Sequence, residues 1–306
     1  MISLKQLIYA LAVDKTRHFK KAADSCSVSQ SALSTAISEL ESQLDLQIFE
    51  RDNKKVFVTP MGEQLLERAR SIKVQIDDLY QLSRSQKSPL SFPLSLGVIP
   101  TIGPFLLPKV LPRVRELYPD LELTIVEEQS HVLVEMVRNG DLDTAILALP
   151  YAHDGLHAFE FWDEDFFTVF HRQDESAKLT EITSKELHHM RLLLLKDGHC
   201  LKDHALAVCQ FNPSETDNSL AGTSLYTLIQ MVAGRMGTTL VPEMALDQLV
   251  GENSELKAVH LGEPGPHRRI AFVTRLNYGG VNNIELLMKL FREQLTHYQS
   301  VRMKNL

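Results

Sequence analysis

The 306-residue chain is 44% hydrophobic and 23% charged, with a formal net charge of −7. This ordinary globular composition predicts two or three domains, each with its own core, at roughly 100–200 residues per domain. It excludes a disulfide-stapled miniprotein, a coiled-coil rod and a mainly disordered chain. No run reaches the ~20 apolar residues of a membrane span, and the first residues lack the layout of a secretory signal. Three cysteines (Cys26, Cys200 and Cys209) make no disulfide framework, so a reducing, cytoplasmic setting is expected.

Charge is unevenly spread. Residues 1–88 carry 13 Lys and Arg against 11 Asp and Glu, whereas the other 218 carry 19 against 28. The asymmetry hints at an anionic partner for the N-terminal part. Phe19 to Asp24 reads as a short helix whose Ala22 and Ala23 let a second helix pack closely, as a helix-turn-helix requires. The second helix starts after Ser29, a good N-cap, and Leu33, Ile37, Leu40 and Leu44 form its buried stripe. Its other face shows Gln30, Ser31, Ser34, Thr35 and Ser38, short hydrogen-bonding side chains that suit a major groove. A solvated face would favour Glu and Lys instead. Ile48-Phe49 and Val56-Phe57-Val58 then bracket a basic turn, so Arg51, Lys54 and Lys55 are expected on a wing that reaches phosphates.

Thr59 as N-cap and Pro60 at the first helical position open a long helix. Leu65, Ala69, Ile72, Ile76 and Leu79 recur along it as a heptad seam, which predicts a dimerisation helix. Ser88 to Pro93 is a hinge-like stretch containing two prolines. Predicted organisation is therefore a DNA-binding domain over 1–58, a linker helix over 59–88 and a regulatory domain over 89–306.

This arrangement resembles the LysR-type transcriptional regulators over the whole chain. The resemblance is carried by Phe19 through Ala23, Val28 through Ser34, Ile48-Phe49-Glu50-Arg51, and Thr59-Pro60 with Gly62. It implies an α/β chain with a winged helix-turn-helix, a linker helix and a two-lobed, Rossmann-like regulatory domain similar to periplasmic binding proteins. Lobe I would span about 89–163 and 270–306, and lobe II about 164–269. It also implies double-stranded operator DNA and RNA polymerase as partners, a homodimer through the linker helix and a homotetramer. No cofactor is implied, and no catalytic role as an enzyme.

The remaining pattern agrees independently. Strands from Leu94, Leu121 and Leu142 alternate with helices from Gly103 and His131, a β-α-β-α-β order that predicts parallel strands. Ligands bind outside the carboxyl ends of such strands, which makes Thr101 and Ser130 cleft residues, with simple helix capping as the plainer alternative.

From Cys200 to Cys209 the pattern is helical, with Leu201, Ala205 and Val208 on one face. Nine residues of helix rise ~13.5 Å through about two and a half turns, so the two sulfurs point to opposite sides. A disulfide needs Cα atoms about 4.4–6.8 Å apart, so bonding them must remodel the segment. Cys200, at a helix start near Lys202, is read as the thiol attacked by peroxide, and Cys209, in apolar surroundings with Phe211, as the resolving thiol. Cys26 is read as core filling. A zinc site from His199, Cys200, His204 and Cys209 is disfavoured by the opposite orientation of Cys209.

Gly198-His199-Cys200-Leu201, Asp203, Cys209, Ile99-Pro100-Thr101 and Gly103-Pro104 also resemble the peroxide-sensing members of the LysR-type family. That resemblance implies that Thr101, Ser130 and His199 hold hydrogen peroxide against Cys200 while Asp203 supports the reactive loop. Lys202 and Ser130 depart from the usual Arg and Thr. The reading is thus a peroxide-sensing transcription regulator. The alternatives are a LysR-type regulator that binds a small metabolite between its lobes, with incidental cysteines, and a thiol peroxidase.

Overall fold

The structure, a computed structural model, describes residues 1–52, 55–87, 89–210, 222–251 and 255–304. Lys54, Ser88 and Phe211 lie outside them. The chain divides into two compact units, Met1–Ser83 and Arg84–Leu306. Among the described residues no helix is long and apolar enough to cross a membrane.

The first unit contains helices α1 (Leu4–Thr16), α2 (Phe19–Ser25) and α3 (Gln30–Leu44), then the hairpin β1 (Phe49–Asp52) and β2 (Lys55–Val58). Helix α4 (Pro60–Lys87) begins in it. Ala22 and Ala23 are buried against Leu33, Ile37 and Leu40 of α3, so small side chains do let these helices approach. The Ser29 hydroxyl accepts from the Ala32 N–H at 3.2 Å and caps α3. The Thr59 hydroxyl accepts from the Gly62 N–H at 2.8 Å and caps α4 ahead of Pro60. Glu41 of α3 accepts from the N–H groups of Ile48 and Phe49 at 2.7 and 3.1 Å, which ties the hairpin to the helix. Cys26 is only half-buried at the edge of this core.

The expected α4 seam divides in two. Ala69, with Leu66, is buried in the unit's own core and Leu65 is partly so, whereas Ile72 and Leu79 are exposed. The first turns pack on the winged domain, and so only the later positions stay outward as an apolar stripe.

The second unit is α/β. In chain order it comprises β3 (Leu94–Val98), α5 (Gly103–Leu117), β4 (Leu123–Glu127), α6 (Ser130–Arg138), β5 (Thr144–Leu149), β6 (Leu156–Glu164), β7 (Phe166–His171), β8 (Glu181–Ile182) and α7 (Ser184–Leu187). There follow α8 (Cys200–Val208), α9 (Leu225–Ala233), β9 (Thr239–Pro242), α10 (Leu246–Leu249), β10 (Leu256–Leu261), β11 (Arg268–Arg275) and α11 (Val281–Lys304). One sheet runs β4-β3-β5-β11-β6 and the other β8-β10-β7-β9. Strand β3 pairs in parallel with both β4 and β5, as the alternating pattern requires, and β11 returns antiparallel between β5 and β6. The chain crosses between the sheets at Asp165 and again over 262–267. The crossings are bonded together: the His267 N–H donates to the Glu164 carbonyl at 3.1 Å, and the Phe166 N–H donates to His267 Nδ1 at 2.8 Å.

A Cβ at Gly62 would press on the Ile48 carbonyl oxygen, a backbone atom that has no room to yield. Gly62→Ala is expected to destabilise the first unit by ~1–3 kcal/mol, lowering its melting transition and its DNA affinity together while the second unit's transition stays put. Calorimetry with a DNA-binding titration checks this; an unmoved first transition would refute it.

Candidate functional site

The chemistry gathers where β3, α6, β5, α8 and β11 meet. Thr101 and Ser130 follow the carboxyl ends of the parallel strands β3 and β4. Neither is a cap. Gln129 holds the N-cap position of α6 and Ile102 that of α5. Thr101 instead receives a buried guanidinium: Arg268 Nη1 donates to its hydroxyl at 3.4 Å and Nη2 to its carbonyl at 3.3 Å. Ser130 is fully buried, and its hydroxyl has no partner in full hydrogen-bond geometry among the described residues. It approaches the Cys200 sulfur closely enough to favour the charged form of that thiol.

Cys200 is the first residue of α8 and is 3% exposed. Burial pushes its thiol up from the ordinary value. Ser130, the positive charge of Arg268 and the N–H at the helix start each act the other way, and Asp203 adds to the upward push. A helix start lowers a thiol's pKa, but here desolvation is the larger effect. Nor is Lys202 an open cation at the sulfur; it is buried and donates to Asp197 Oδ1 at 2.7 Å. The cation that favours the thiolate is Arg268, to which the sequence pattern assigns no role at the thiol. Its one sequence signal was the run His267-Arg268-Arg269 just before an apolar strand.

His199 is half-buried, and desolvation lowers its pKa, so its imidazole is neutral near pH 7. Asp203 is exposed in the first turn of α8, where the helix dipole favours a carboxylate. Tyr151, after β5, is held above its ordinary pKa by burial and by the neighbouring Cys200 and Asp203. His204 lies one turn beyond Cys200 and is buried. The sequence pattern gave Tyr151 no role and weighed His204 only as a disfavoured zinc ligand.

At the other end of α8, Cys209 is 0% exposed and its N–H donates to the Ala205 carbonyl at 3.0 Å. Burial, helped by Glu263, pushes its thiol up to about 12. Helix α8 is continuous between the two cysteines, both thiols are free, and ~13.5 Å of axial rise separates them. No group of three or more His, Cys, Asp or Glu among the described residues is placed to hold a metal ion.

In the first unit Gln30, Ser31, Thr35 and Ser38 are exposed on one side of α3, with Ser34 half-buried among them. Arg51 pairs with Val56 across the hairpin, and Lys55 is exposed at its tip. These residues form one polar helix face beside a basic hairpin.

Residues 4–63 match the family described as "Bacterial regulatory helix-turn-helix protein, lysR family", and residues 88–296 match "LysR substrate binding domain". The chain belongs to the LysR family of transcription regulators. It is 39% identical over 274 residues to the HTH-type transcriptional regulator EstR of Acinetobacter baylyi, covering 89% of this chain and 90% of that one. It is 33% identical over 303 residues to the hydrogen peroxide-inducible genes activator of Pectobacterium carotovorum, covering 99% and 100%. The solved structure of full-length OxyR from Pseudomonas aeruginosa, carrying a cysteine-to-aspartate substitution, superposes with a TM-score of 0.79 at 31% identity, covering 95% and 98%. Both LysR modules, reader and regulator, are therefore present in this chain.

The role of Arg268 is testable on a balanced background, because removing one member of a buried ion pair strands the other. Arg268→Met combined with Glu164→Gln is expected to raise the Cys200 pKa further and slow its alkylation by iodoacetamide at pH 7 several-fold. Unchanged alkylation kinetics would remove Arg268 from the thiol's electrostatics.

Proposed function

We propose that this LysR-family regulator is a DNA-binding activator switched by hydrogen peroxide. The Cys200 sulfur attacks one peroxide oxygen; the S–O bond forms, the O–O bond breaks, and water leaves a sulfenic acid. The Cys209 thiolate then attacks that sulfur and expels hydroxide, which leaves as water on taking up the thiol's proton, closing a Cys200–Cys209 disulfide. Thr101, Ser130 and His199 hold the peroxide, and Asp203 supports the loop at the head of α8. The observation that carries the reading is the pair of free, buried thiols at opposite ends of one intact helix, with the unsatisfied Ser130 hydroxyl beside the reactive one. The printed name of the Pectobacterium relative points the same way.

On the DNA side, Gln30, Ser31, Ser34, Thr35 and Ser38 meet base edges in the major groove, and Arg51, Lys54 and Lys55 meet phosphates. Reading a palindromic operator requires a dimer, which the outward Ile72 and Leu79 of α4 supply; a tetramer and contact with RNA polymerase complete the assembly. The protein then acts where its operator is, in the cytoplasm, and with no enzymatic turnover of its own.

A second reading rests on EstR, whose printed name mentions no peroxide and whose identity to this chain is 39%. Under it the lobes bind a small metabolite and the cysteines are bystanders. Mass spectrometry after stoichiometric peroxide separates the two. A Cys200–Cys209 disulfide is expected, absent in Cys200→Ser, and Cys209→Ser is expected to stop at a sulfenic acid that a diketone reagent traps. If both thiols stay reduced, the metabolite reading replaces the peroxide one. Fast turnover with a reductant and no specific DNA affinity would instead mean a thiol peroxidase.

Arg51→Ala is expected to weaken binding to all DNA sequences about equally and to reduce the slope of log affinity against log salt by about 1. Thr35→Glu is expected to abolish operator preference. A wild-type salt slope in the first variant would take Arg51 off the phosphates.

A further inference from the structure

His204 follows Cys200 by four residues on α8, and a helical side chain leans back over the turn that precedes it. Its ring therefore covers the turn that carries Cys200, and it is 3% exposed there. Nε2 stands 2.8 Å from the Pro150 carbonyl oxygen, which can only accept, so Nε2 bears the hydrogen and Nδ1 keeps a bare lone pair. That Nδ1 is buried with no hydrogen-bond partner among the described residues. An unmet acceptor in an interior is costly and uncommon. Ser130, whose hydroxyl is likewise unmet, flanks the Cys200 sulfur.

The charged and titratable groups that act on this ring are Arg268 from β11 and Asp203 on α8, and Cys200 and Tyr151 share that electrostatic neighbourhood. Burial lowers the pKa of His204 and Arg268 adds to that effect, while the Pro150 carbonyl and Asp203 oppose it. The imidazole is thus held toward its neutral, basic form near pH 7.

Resting on the peroxide reading above, we infer that His204 carries the proton during oxidation of Cys200. As the sulfur lone pair attacks one oxygen of hydrogen peroxide, Nδ1 takes the thiol proton. The S–O bond forms, the O–O bond breaks, and the departing hydroxide takes the proton from Nδ1 and leaves as water. Sulfur is oxidised by two electrons, peroxide is reduced by two, and the imidazole ends neutral. The device suits a thiol whose own ionisation is suppressed by burial, because no standing population of thiolate is needed.

The test uses the full chain with His204→Gln, whose amide keeps a donor for Pro150 but cannot carry a proton. Cys200 oxidation by hydrogen peroxide is followed by rapid quench and mass spectrometry between pH 7 and 8. Wild type is expected to vary by less than about twofold across this range, its base staying neutral throughout. The Gln variant is expected to be at least ~tenfold slower at pH 7 and to climb nearly tenfold per pH unit, tracking the scarce thiolate. Its melting curve and DNA affinity in the reduced state report on its folding, and His204→Asn, expected to show the same slowed, climbing profile, replaces it if it does not fold. A variant with the wild-type rate and flat profile overturns the inference, as does a wild-type rate that itself climbs with pH. A wild type inert to peroxide sinks the parent reading first, a result distinct from either.

Discussion

Arg268 and Glu164 form an ion pair with both side chains fully buried, and the regulatory unit is arranged around keeping it satisfied. Taking two such ions out of water costs several kcal/mol each, so the pair persists only where every donor and acceptor is used. Here each nitrogen and oxygen of the pair has a partner. Glu164 Oε2 accepts from Arg268 Nε and Nη2 at 2.7 Å each, its Oε1 accepts from the Met244 N–H at 2.6 Å, and Nη1 and Nη2 also donate to Thr101. Glu164 ends β6 and Arg268 starts β11, so the pair clamps the place where the chain passes between its sheets. One constraint thereby orients the crossing, the Thr101 corner and the positive charge on Cys200. Pairs of this kind specify an arrangement more than they stabilise a fold.

Against that fixed frame, the proposed switch makes α8 the element that changes. Closing a short loop by a disulfide constrains the chain by an amount on the order of 3 kcal/mol, close to the ~1–3 kcal/mol of ordinary allosteric coupling. The nine helical residues between Cys200 and the C-cap are of a size that such a bond can outweigh. The chemistry also orders the events. Cys209, with its thiol near 12, is inert in its pocket, and only unwinding exposes it to the water that lets it ionise. Under the proposed switch, remodelling and resolving reactivity are therefore one event, and Cys200 reacts first.

Local features of the site were readable in the chain itself. Ser29 and Thr59 cap the helices they precede, and Leu33, Ile37 and Leu40 bury the face their spacing assigns to them. Leu201 and Ala205 likewise mark the buried side of α8. What escaped was set by tertiary geometry. Arg268 reaches Cys200 only because β11 inserts between β5 and β6, a pairing no local pattern encodes. Lys202 looked like the thiolate's cation in sequence, yet Asp197 takes its ammonium. The direction of the Cys200 shift likewise depends on burial, which spacing alone cannot weigh against a helix start. On α4, heptad spacing marked an apolar stripe without telling which turns its own domain would cover.

In the proposed switch, a change at α8 reaches α6 through its N-cap residue Gln129 and its first residue Ser130. Gly198 has a φ of +95°, and a Cβ there would stand 2.5 Å from Gln129 Oε1, so the side chain of Gln129 lies directly against this turn. The next residue, Ser130, faces the Cys200 sulfur. Gln129 makes no side-chain cap for its own helix. Any displacement that carries Cys200 toward Cys209 withdraws both contacts together, since the turn and the sulfur are two residues apart. Under the proposed switch the start of α6 therefore senses the state of the thiol through packing against Gly198 and through the Ser130 hydroxyl.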